Sequence, residues 1–463
     1  MPRLQAKQDL ADFASVIIAA NRLVTYQDNL YVAKNFEDGG PLPPPDKTVW
    51  MQLEKDELME WAQSMDLLFY NPQEYYNWTF MIRQMAERRR QAEPYVVIRH
   101  GDGLAYMTDA GLVAIETPSF APNYINHRII EEGSDEYKNV RTLFATITEW
   151  LGDEDQAHSL LYHLATALQP GWTPVKYLLL LGSGRNGKGT LLAMLAKLLG
   201  ERNLSGVLRQ DIAARKATVA SVAGKLANIV FDGPASYVAE SGPEKTLTAG
   251  EPLHIELKYD NEPRRVQSNC LWVEALQKEP KNRDKSVALQ SRLVRFYFPN
   301  YYELDLQFGA LMTSDTMIDA FLTLLWEHWV KEDEVAEKLR PTNSSVDLQT
   351  ASELTGSPIL AFIEWQVRRN EEFLTELRSG KFNADAFVDS LQPWLGDQGY
   401  GDRSSASIWE QMGDHFVIER GVSRVNGRPK TVKQIKSILP RTERALQMME
   451  GGTSDDEAVV RDE

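Results

Sequence analysis

The chain has 463 residues, a formal net charge of −16 and a single cysteine, Cys270. One cysteine excludes a disulfide within the chain, and the acidic balance argues against a sequence-independent DNA coat, which normally presents a basic face. No apolar run approaches the ~20 residues of a transmembrane helix, and the first residues lack the apolar core of a signal peptide. We therefore expect a cytoplasmic protein with no membrane partner.

The first 138 residues are expected to form a mixed α+β region. The pattern predicts a strand around Asn29–Lys34, helices over 54–69 and 73–90, and a small β-hairpin unit over 94–118, where apolar and polar residues alternate. Residues 139–176 have helical periodicity and are expected to form a helical collar ahead of the next domain.

The stretch GSGRNGKGT, residues 182–190, has the spacing of a phosphate-binding loop. The apolar run KYLLLL precedes it and predicts a buried strand, and TLLAMLAKLLG follows it as an apolar helix that ends at Gly200. Gly182, Gly184 and Gly187 let the backbone approach phosphate oxygens, which the exposed amides and the helix N-terminus attract. Lys188 would reach the β- and γ-phosphates of ATP.

The loop departs from the usual pattern in one place: Gly189 follows the lysine, and the hydroxyl comes one position later, on Thr190. We expect Thr190 to contact Mg²⁺ directly or through a water molecule. The alternative is a glycine-rich turn that binds nothing. The candidate nucleotide-binding residues are Gly182, Ser183, Gly184, Arg185, Asn186, Gly187, Lys188, Gly189 and Thr190.

Two lineages share this loop variant, the ligases that resemble folylpolyglutamate synthase and the superfamily III helicases. In the ligases the loop lies near the N-terminus, whereas 181 residues precede Gly182 here. Three stretches resemble the poxvirus and phage primase–helicase branch of superfamily III: HLATALQPGWTPVKYLLLLGSGRNGKGTLLAMLAKLLG, ESGPEKTLTAGEPLHIELKYDNEP and RDKSVALQSRLVRFYFP. The chain is thus similar to a replication ATPase of a phage or plasmid.

The resemblance implies an α/β ATPase core over 177–340, with a P-loop and an AAA+-like parallel sheet, and a winged-helix-like region over 341–442. It also implies a ring, most simply a hexamer. The acidic tail, residues 443–463, contains no aromatic residue and is expected to be disordered.

The second motif of that family is an apolar strand that ends in two acidic residues. LANIVFDGP supplies Asp232 as a ligand for Mg²⁺, but Gly233 stands where the resemblance implies a glutamate that polarises the attacking water. Glu240 is an alternative base. In the third motif of the family a polar residue stands at the tip of a strand. The corresponding place in this chain is near Glu274 or Ala275 in CLWVEALQKEP. We expect slow hydrolysis, which Gly233→Glu should raise or leave unchanged.

The resemblance gives Arg292 the position of an arginine finger that acts on the nucleotide of a neighbouring subunit, with Arg295 as a weaker candidate. It also gives Lys258 the position of a lysine on a hairpin in the central pore. The alternative for Arg292 is an arginine paired with a surface carboxylate, and the alternative for Lys258 is a solvated lysine on a strand. In the C-terminal region a basic turn is expected to contact DNA phosphates through Arg424, Arg428 and Lys430. The alternative is an ordinary surface hairpin.

The predicted function is that of a ring helicase or translocase that unwinds or loads onto single-stranded or forked DNA with ATP hydrolysis. The alternatives are a nucleotide-binding scaffold or loader with weak or no hydrolysis and, from another class, an ATP-dependent ligase. Clustered carboxylates of a primase centre are not evident in the sequence, so a primase or polymerase partner would be a separate chain.

Overall fold

The computed structural model describes most of the chain. The described residues are 14–18, 22–26, 29–37, 39, 47–53, 57–60, 72–89, 92–116, 119–170, 175–234, 240–256, 264–277, 286–342, 358–367, 369–370, 372–397, 405–413, 415–425, 428–440, 442–443 and 446. The chain divides into two compact units, Met1–Ser345 and Val346–Glu463.

Two small sheets open the first unit. Their strands are β1 (Leu23–Tyr26), β2 (Asn29–Asn35), β3 (Thr48–Gln52), β4 (Glu87–Arg88), β5 (Val96–His100), β6 (Gly103–Thr108), β7 (Gly111–Ala114) and β8 (Asn123–Arg128), and helix α1 (Pro72–Met85) precedes β4. The sheet orders are β3-β2-β1-β4 and β7-β6-β5-β8. The antiparallel pairs β5–β6 and β6–β7 confirm the predicted hairpin unit, and β2 confirms the predicted strand.

Two helices follow, α2 (Lys138–Leu151) and α3 (Glu154–Ala165). Gly152 ends α2 in the left-handed conformation with φ 69°, and the Asp153 side chain accepts a hydrogen bond from the amide of Gln156 at the start of α3. A glycine C-cap and an aspartate N-cap side by side make the sharp turn between the helices. Helical structure was predicted here.

A five-stranded sheet forms the centre of the unit. Its strands are β9 (Tyr177–Leu181), β10 (Leu204–Ser205), β11 (Ala227–Val230), β14 (Leu271–Leu276) and β15 (Leu293–Tyr297), with the short antiparallel pair β12 (Leu253–Ile255) and β13 (Arg264–Val266) outside it. The order is β10-β11-β14-β9-β15, and every neighbouring pair is parallel. A buried parallel sheet requires apolar strands, as the sequence YLLLL of β9 shows. This is the α/β core with a parallel sheet that was predicted.

Helices cover both faces of this sheet, as parallel connections require. The remaining helices of the unit are α4 (Lys188–Leu199), α5 (Arg209–Ala213), α6 (Gly242–Thr248), α7 (Val287–Gln290), α8 (Leu306–Met312), α9 (Asp315–Glu327) and α10 (Val335–Lys338). Leu178 and Leu180 of β9 share one apolar cluster with Leu195 of α4. Tyr177 and Leu179 point to the opposite cluster, whose chain segments include α5 and α6.

The second unit combines helices with a three-stranded antiparallel sheet. Its elements are α11 (Pro358–Val367), α12 (Phe373–Arg378), β16 (Phe382–Asn383), α13 (Ala384–Asp397), α14 (Ser405–Gly413), β17 (Phe416–Val425) and β18 (Arg428–Ile438). The sheet order is β16-β18-β17, and an aromatic core that includes Phe362, Phe387 and Phe416 holds the unit together. The helix and the two strands predicted from ASIWEQMGDHFVIERGVSRVNGRPKTVKQI are confirmed, and the predicted turn at 426–427 lies outside the described residues.

None of the described helices alone has the length and apolarity needed to cross a membrane. Helices α8 and α9, which meet at 56°, reach that length and composition only as a pair.

Candidate functional site

The glycine-rich loop leaves the carboxyl end of β9 and enters α4. A Cβ atom at Gly182 would lie 2.1 Å from Nδ2 of Asn186 and 2.8 Å from the carbonyl oxygen of Phe298. Gly187 has φ 92°, and a Cβ atom there would lie 2.4 Å from the indole ring of Trp150 on α2. Contacts within the fold therefore favour glycine at positions 182 and 187, whether or not a ligand is bound.

Lys188 is the first residue of α4 and is 6% exposed. Its ammonium donates to the carbonyl oxygen of Gly182 and to Oδ1 of Asn186, both at 2.8 Å. Nδ2 of Asn186 donates in turn to the carbonyl oxygen of Phe298 at 3.2 Å. Burial lowers the pKa of the Lys188 ammonium, and the Asp232 carboxylate acts in the opposite direction. The lysine is thus held over the loop, with its charge partly balanced by Asp232.

The backbone of the loop presents a set of amide donors. Within the described part of the chain, the amides of Ser183–Gly187 donate to no intramolecular acceptor, and no side chain caps α4. Arg185 has φ 48°, and the amide of Tyr302 donates to its carbonyl oxygen at 2.7 Å. A tight turn of unpaired amides at a helix N-terminus is a concave site for an anion such as phosphate.

The second candidate motif lies two strands away from β9. Asp232 follows β11 at the carboxyl end of the sheet, and its side chain is exposed. Thr190 lies on the first turn of α4 and is half-buried. The residues present fit a magnesium nucleotide: the amides and Lys188 would face the phosphates, and Thr190 and Asp232 would offer oxygen atoms to a hard cation.

Gly233, which follows Asp232, packs directly against a carboxylate from the neighbouring strand. A Cβ atom at Gly233 would lie 2.1 Å from Oε1 and 2.6 Å from Cδ of Glu274 on β14. The amide of Gly233 also donates to the carbonyl oxygen of Ala275 at 2.8 Å. A side chain at position 233 would have to displace the Glu274 side chain, and this contact favours a loss of turnover in Gly233→Glu over the gain or unchanged rate that the sequence alone predicts.

Glu274 is fully buried in the middle of β14, and neither of its carboxylate oxygens has a hydrogen-bond partner within the described residues. Burial raises its pKa to about 7, whereas the charge of Arg209 and the hydroxyl of Tyr177 act to lower it. Arg209 is itself committed to a second buried carboxylate, Glu244, through hydrogen bonds of 3.2 Å from both Nε and Nη2. Within the described part of the chain, Glu274 is therefore a buried acid of this sheet that has no ion-pair partner.

Arg292 lies at the opposite end of the sheet from the loop. Its carbonyl oxygen accepts from the amide of Tyr177 at the start of β9, and its guanidinium donates to the carbonyl oxygen of Ala288. Five residues of β9 separate this end from the loop, so Arg292 is remote from its own Lys188. Arg295 is 1% exposed, and Nη2 donates to Oε1 of Gln290 at 2.8 Å. That burial excludes Arg295 as a finger for another subunit.

The candidate DNA contacts are described only in part. Lys258 lies outside the described residues, between the paired strands β12 and β13. Arg424, Arg428 and Lys430 lie at the tip of the hairpin β17–β18, where the backbone register pairs Arg424 with Pro429. Glu240, the alternative base, is exposed.

Sequence reasoning predicted the loop, Lys188 and Asp232 as a site, but it did not predict the contacts that other elements make with the loop and with Gly233. Trp150 and Phe298 have no motif that marks them. Glu274 was named near the place of the third motif, but not as an acid beside Gly233; its place in an otherwise apolar strand is a signal for that.

The fold belongs to the class of α/β proteins with a central parallel sheet and a separate helical and antiparallel unit. No protein-family model and no curated protein matches the chain. Among solved structures, the A form of the apo C-terminal region of NrS-1 is similar, with 13% identity, a TM-score of 0.51, and coverage of 92% of this chain and 98% of that one. Two further apo structures of the same region have TM-scores of 0.44 and 0.43 at 14% and 13% identity. The first likeness shows a shared fold.

Proposed function

We propose that this protein is a P-loop ATPase of phage or plasmid DNA replication, which binds ATP with Mg²⁺ and works on DNA as a ring. The observation that carries the proposal is the loop after β9. It combines unpaired amides, a helix N-terminus and the buried ammonium of Lys188, which is electrostatically coupled to Asp232. Phosphate is the ligand chemistry that such a set of donors favours.

In this proposal the loop amides and Lys188 bind the ATP phosphates, and Thr190 and Asp232 hold Mg²⁺. Mg²⁺ held by these two side chains would supply positive charge against the phosphates. The hydrogen bonds of Lys188 to Gly182 and Asn186 keep its ammonium over the loop before the nucleotide arrives. Binding then exchanges these neutral acceptors for phosphate oxygens.

Titration of a fluorescent ATP analogue into Lys188→Ala tests the assignment. Affinity is expected to fall at least about 100-fold because the charge-assisted contact with phosphate is lost. Lys197→Ala, an exposed lysine on the same helix that pairs with Asp315, is the matched control and is expected to bind normally. Equal affinity in the Lys188 variant and the parent would refute the phosphate-loop proposal.

DNA binding is proposed for the second unit and for the β12–β13 hairpin. The order α12, β16, α13, α14, β17, β18 is that expected of a winged helix, with β17–β18 as the wing. Residues 416–438 contain six arginines and lysines and one acid, Glu419. Such a hairpin suits contacts to phosphates.

Salt dependence distinguishes these contacts from an ordinary surface hairpin. Removing a phosphate contact with Lys430→Ala or Lys258→Ala should reduce the slope of log affinity against log salt by about one. Exposed Lys381→Ala serves as the control in the same unit as Lys430. An unchanged slope in either variant would remove that residue from the proposed DNA interface.

Ring formation is proposed from the resemblance and from an apolar surface after β15. Tyr301, Leu304, Leu306 and Leu311 are 63, 69, 76 and 57% exposed. A run of exposed large apolar residues is typical of an interaction surface. Light scattering with ATP and Mg²⁺ present should give the mass of a hexamer. A separate primase or polymerase is proposed to act on the same DNA, in the host cytoplasm.

The second candidate function is a nucleotide-binding scaffold or loader with weak hydrolysis, which Gly233 favours because no carboxylate follows Asp232 in the chain. Phosphate release with and without single-stranded DNA separates it from a translocase. An ATP-dependent ligase would instead transfer the γ-phosphoryl group to a carboxylate substrate, which a separate assay for acyl-phosphate formation would detect.

A further inference from the structure

We propose that Glu274 is the catalytic base of ATP hydrolysis, reaching the site from β14 to replace the side chain that Gly233 lacks. This inference rests on the proposed ATPase function. It concerns one residue that lies in a different strand from Asp232, 42 positions further along the chain.

Strand order places Glu274 between the two halves of the site. Strand β14 lies between β9, which leads to the loop and Lys188, and β11, which leads to Asp232. Glu274 pairs with Leu179 on one side and Val230 on the other, so Asp232 is two residues beyond its partner on β11. Its side chain reaches forward along the strand to Gly233 at the loop end of the sheet.

The carboxylate fills the space where a side chain at position 233 would begin. All three closest atoms to a Cβ at Gly233 belong to Glu274: Oε1 at 2.1 Å, Cδ at 2.6 Å and Cγ at 2.7 Å. Any larger residue there would require the Glu274 side chain to shift. The second acid of the motif is therefore not missing from the site, but comes from the adjacent strand.

The state of the carboxylate also indicates a functional role. A structural buried acid normally has an ion pair or several hydrogen bonds, as Glu244 has with Arg209. Neither oxygen of Glu274 meets the distance and angle of a hydrogen bond within the described residues, although the Tyr177 hydroxyl is close enough to lower the pKa that burial raises toward neutrality. The charged and titratable groups that face it are Arg209 on α5, Glu244 on α6 and Tyr177 on β9. A carboxylate with unused acceptors and such a pKa is suited to accept a proton from water.

In the proposed step, the Glu274 carboxylate accepts a proton from a water molecule as the water oxygen forms a bond with the γ-phosphorus. The bond between that phosphorus and the β–γ bridging oxygen breaks, and its electron pair leaves with ADP. The products are ADP and inorganic phosphate, and the proton then passes from Glu274 to solvent.

The test compares Glu274→Gln with Glu240→Gln in the full chain. For each variant, a fluorescent ATP analogue reports binding, and release of inorganic phosphate from ATP with Mg²⁺ reports hydrolysis. Glu274→Gln should bind the analogue within about twofold of the parent but hydrolyse ATP about 100-fold or more slowly. Glu240→Gln, which changes the exposed acid eight positions after Asp232 in the chain, should keep the parental rate.

A transplanted carboxylate provides the second arm. Glu274→Ala removes the atoms that block position 233. The double variant Glu274→Ala with Gly233→Glu should therefore hydrolyse ATP about tenfold or more faster than Glu274→Ala alone. Gly233→Glu alone should lower turnover because its side chain meets Glu274. Circular dichroism confirms that each variant is folded.

The outcomes separate the two proposals. A parent that binds no ATP refutes the ATPase function, and a parent that binds ATP but releases no phosphate favours the scaffold; either result removes the basis for Glu274 as a base. A parent that hydrolyses ATP while Glu274→Gln keeps its rate, or while Glu240→Gln loses it, overturns the inference alone. Loss of the fold in both Glu274→Gln and Glu274→Ala would assign the residue to the core and overturn it too.

Discussion

Replacement of Glu274 by glutamine is expected to make the first unit more stable at pH 8 and to leave it nearly unchanged at low pH. Burial raises the pKa of this carboxyl from an ordinary 4.5 to about 7, so the folded chain keeps a proton that the unfolded chain has already lost. The contribution of Glu274 to the free energy of unfolding therefore falls as pH rises through this interval, and the ionised group opposes folding by about 3 kcal/mol at pH 8 and by less than about 1 kcal/mol at pH 5. A neutral glutamine of the same shape escapes this penalty.

Urea unfolding at pH 5 and pH 8, followed by tryptophan fluorescence without nucleotide, measures the effect. Glu244→Gln is the matched control, because it leaves the buried Arg209 without its partner and is expected to destabilise the unit by about 3 to 5 kcal/mol. Two buried glutamates that flank one arginine thus give changes of opposite sign. A Glu274→Gln protein that is less stable than the parent at pH 8, or whose advantage is equal at both pH values, would refute this reasoning.

Gly187→Ala is expected to weaken binding of a fluorescent ATP analogue about tenfold or more, because the new methyl group meets Trp150 at a positive φ; unchanged affinity in a titration would contradict the loop geometry. The contribution of His163 to the free energy of unfolding should fall by about 3 kcal/mol as pH drops from 6.5 to 4, opposite in sign to that of Glu274, because burial lowers the pKa of His163 to about 4 and the unfolded chain takes up the proton first. His163→Gln should remove this part of the pH dependence in urea unfolding. Arg292→Ala subunits should bind ATP but hydrolyse it poorly, and mixing them with Lys188→Ala subunits should restore activity at shared interfaces; no recovery in co-assembled rings would exclude action in trans.

Local patterns alone were sufficient to predict the elements that carry the loop. The run YLLLL is continuous in apolar residues, so it predicts a strand buried on both faces, and the structure has Tyr177–Leu181 as a strand inside the sheet. Gly200 ends the following helix with φ 78°, as its place after the apolar run predicts. These features depend on residues within one or two turns of each other, and such short-range preferences can be read directly from sequence.

The pairing of distant strands was decided only by the tertiary structure. The sequence shows Asp232 followed by Gly233 and so indicates a missing acid, but it contains no information that β14 lies between β9 and β11. That order brings Glu274 against Gly233, and it makes one position a glycine because the other is a glutamate. Trp150 beneath Gly187 is a second contact of this kind. Side chains that are tens of residues apart meet through packing of the whole unit, so their shared geometry appears only when the sheet and its helices are assembled.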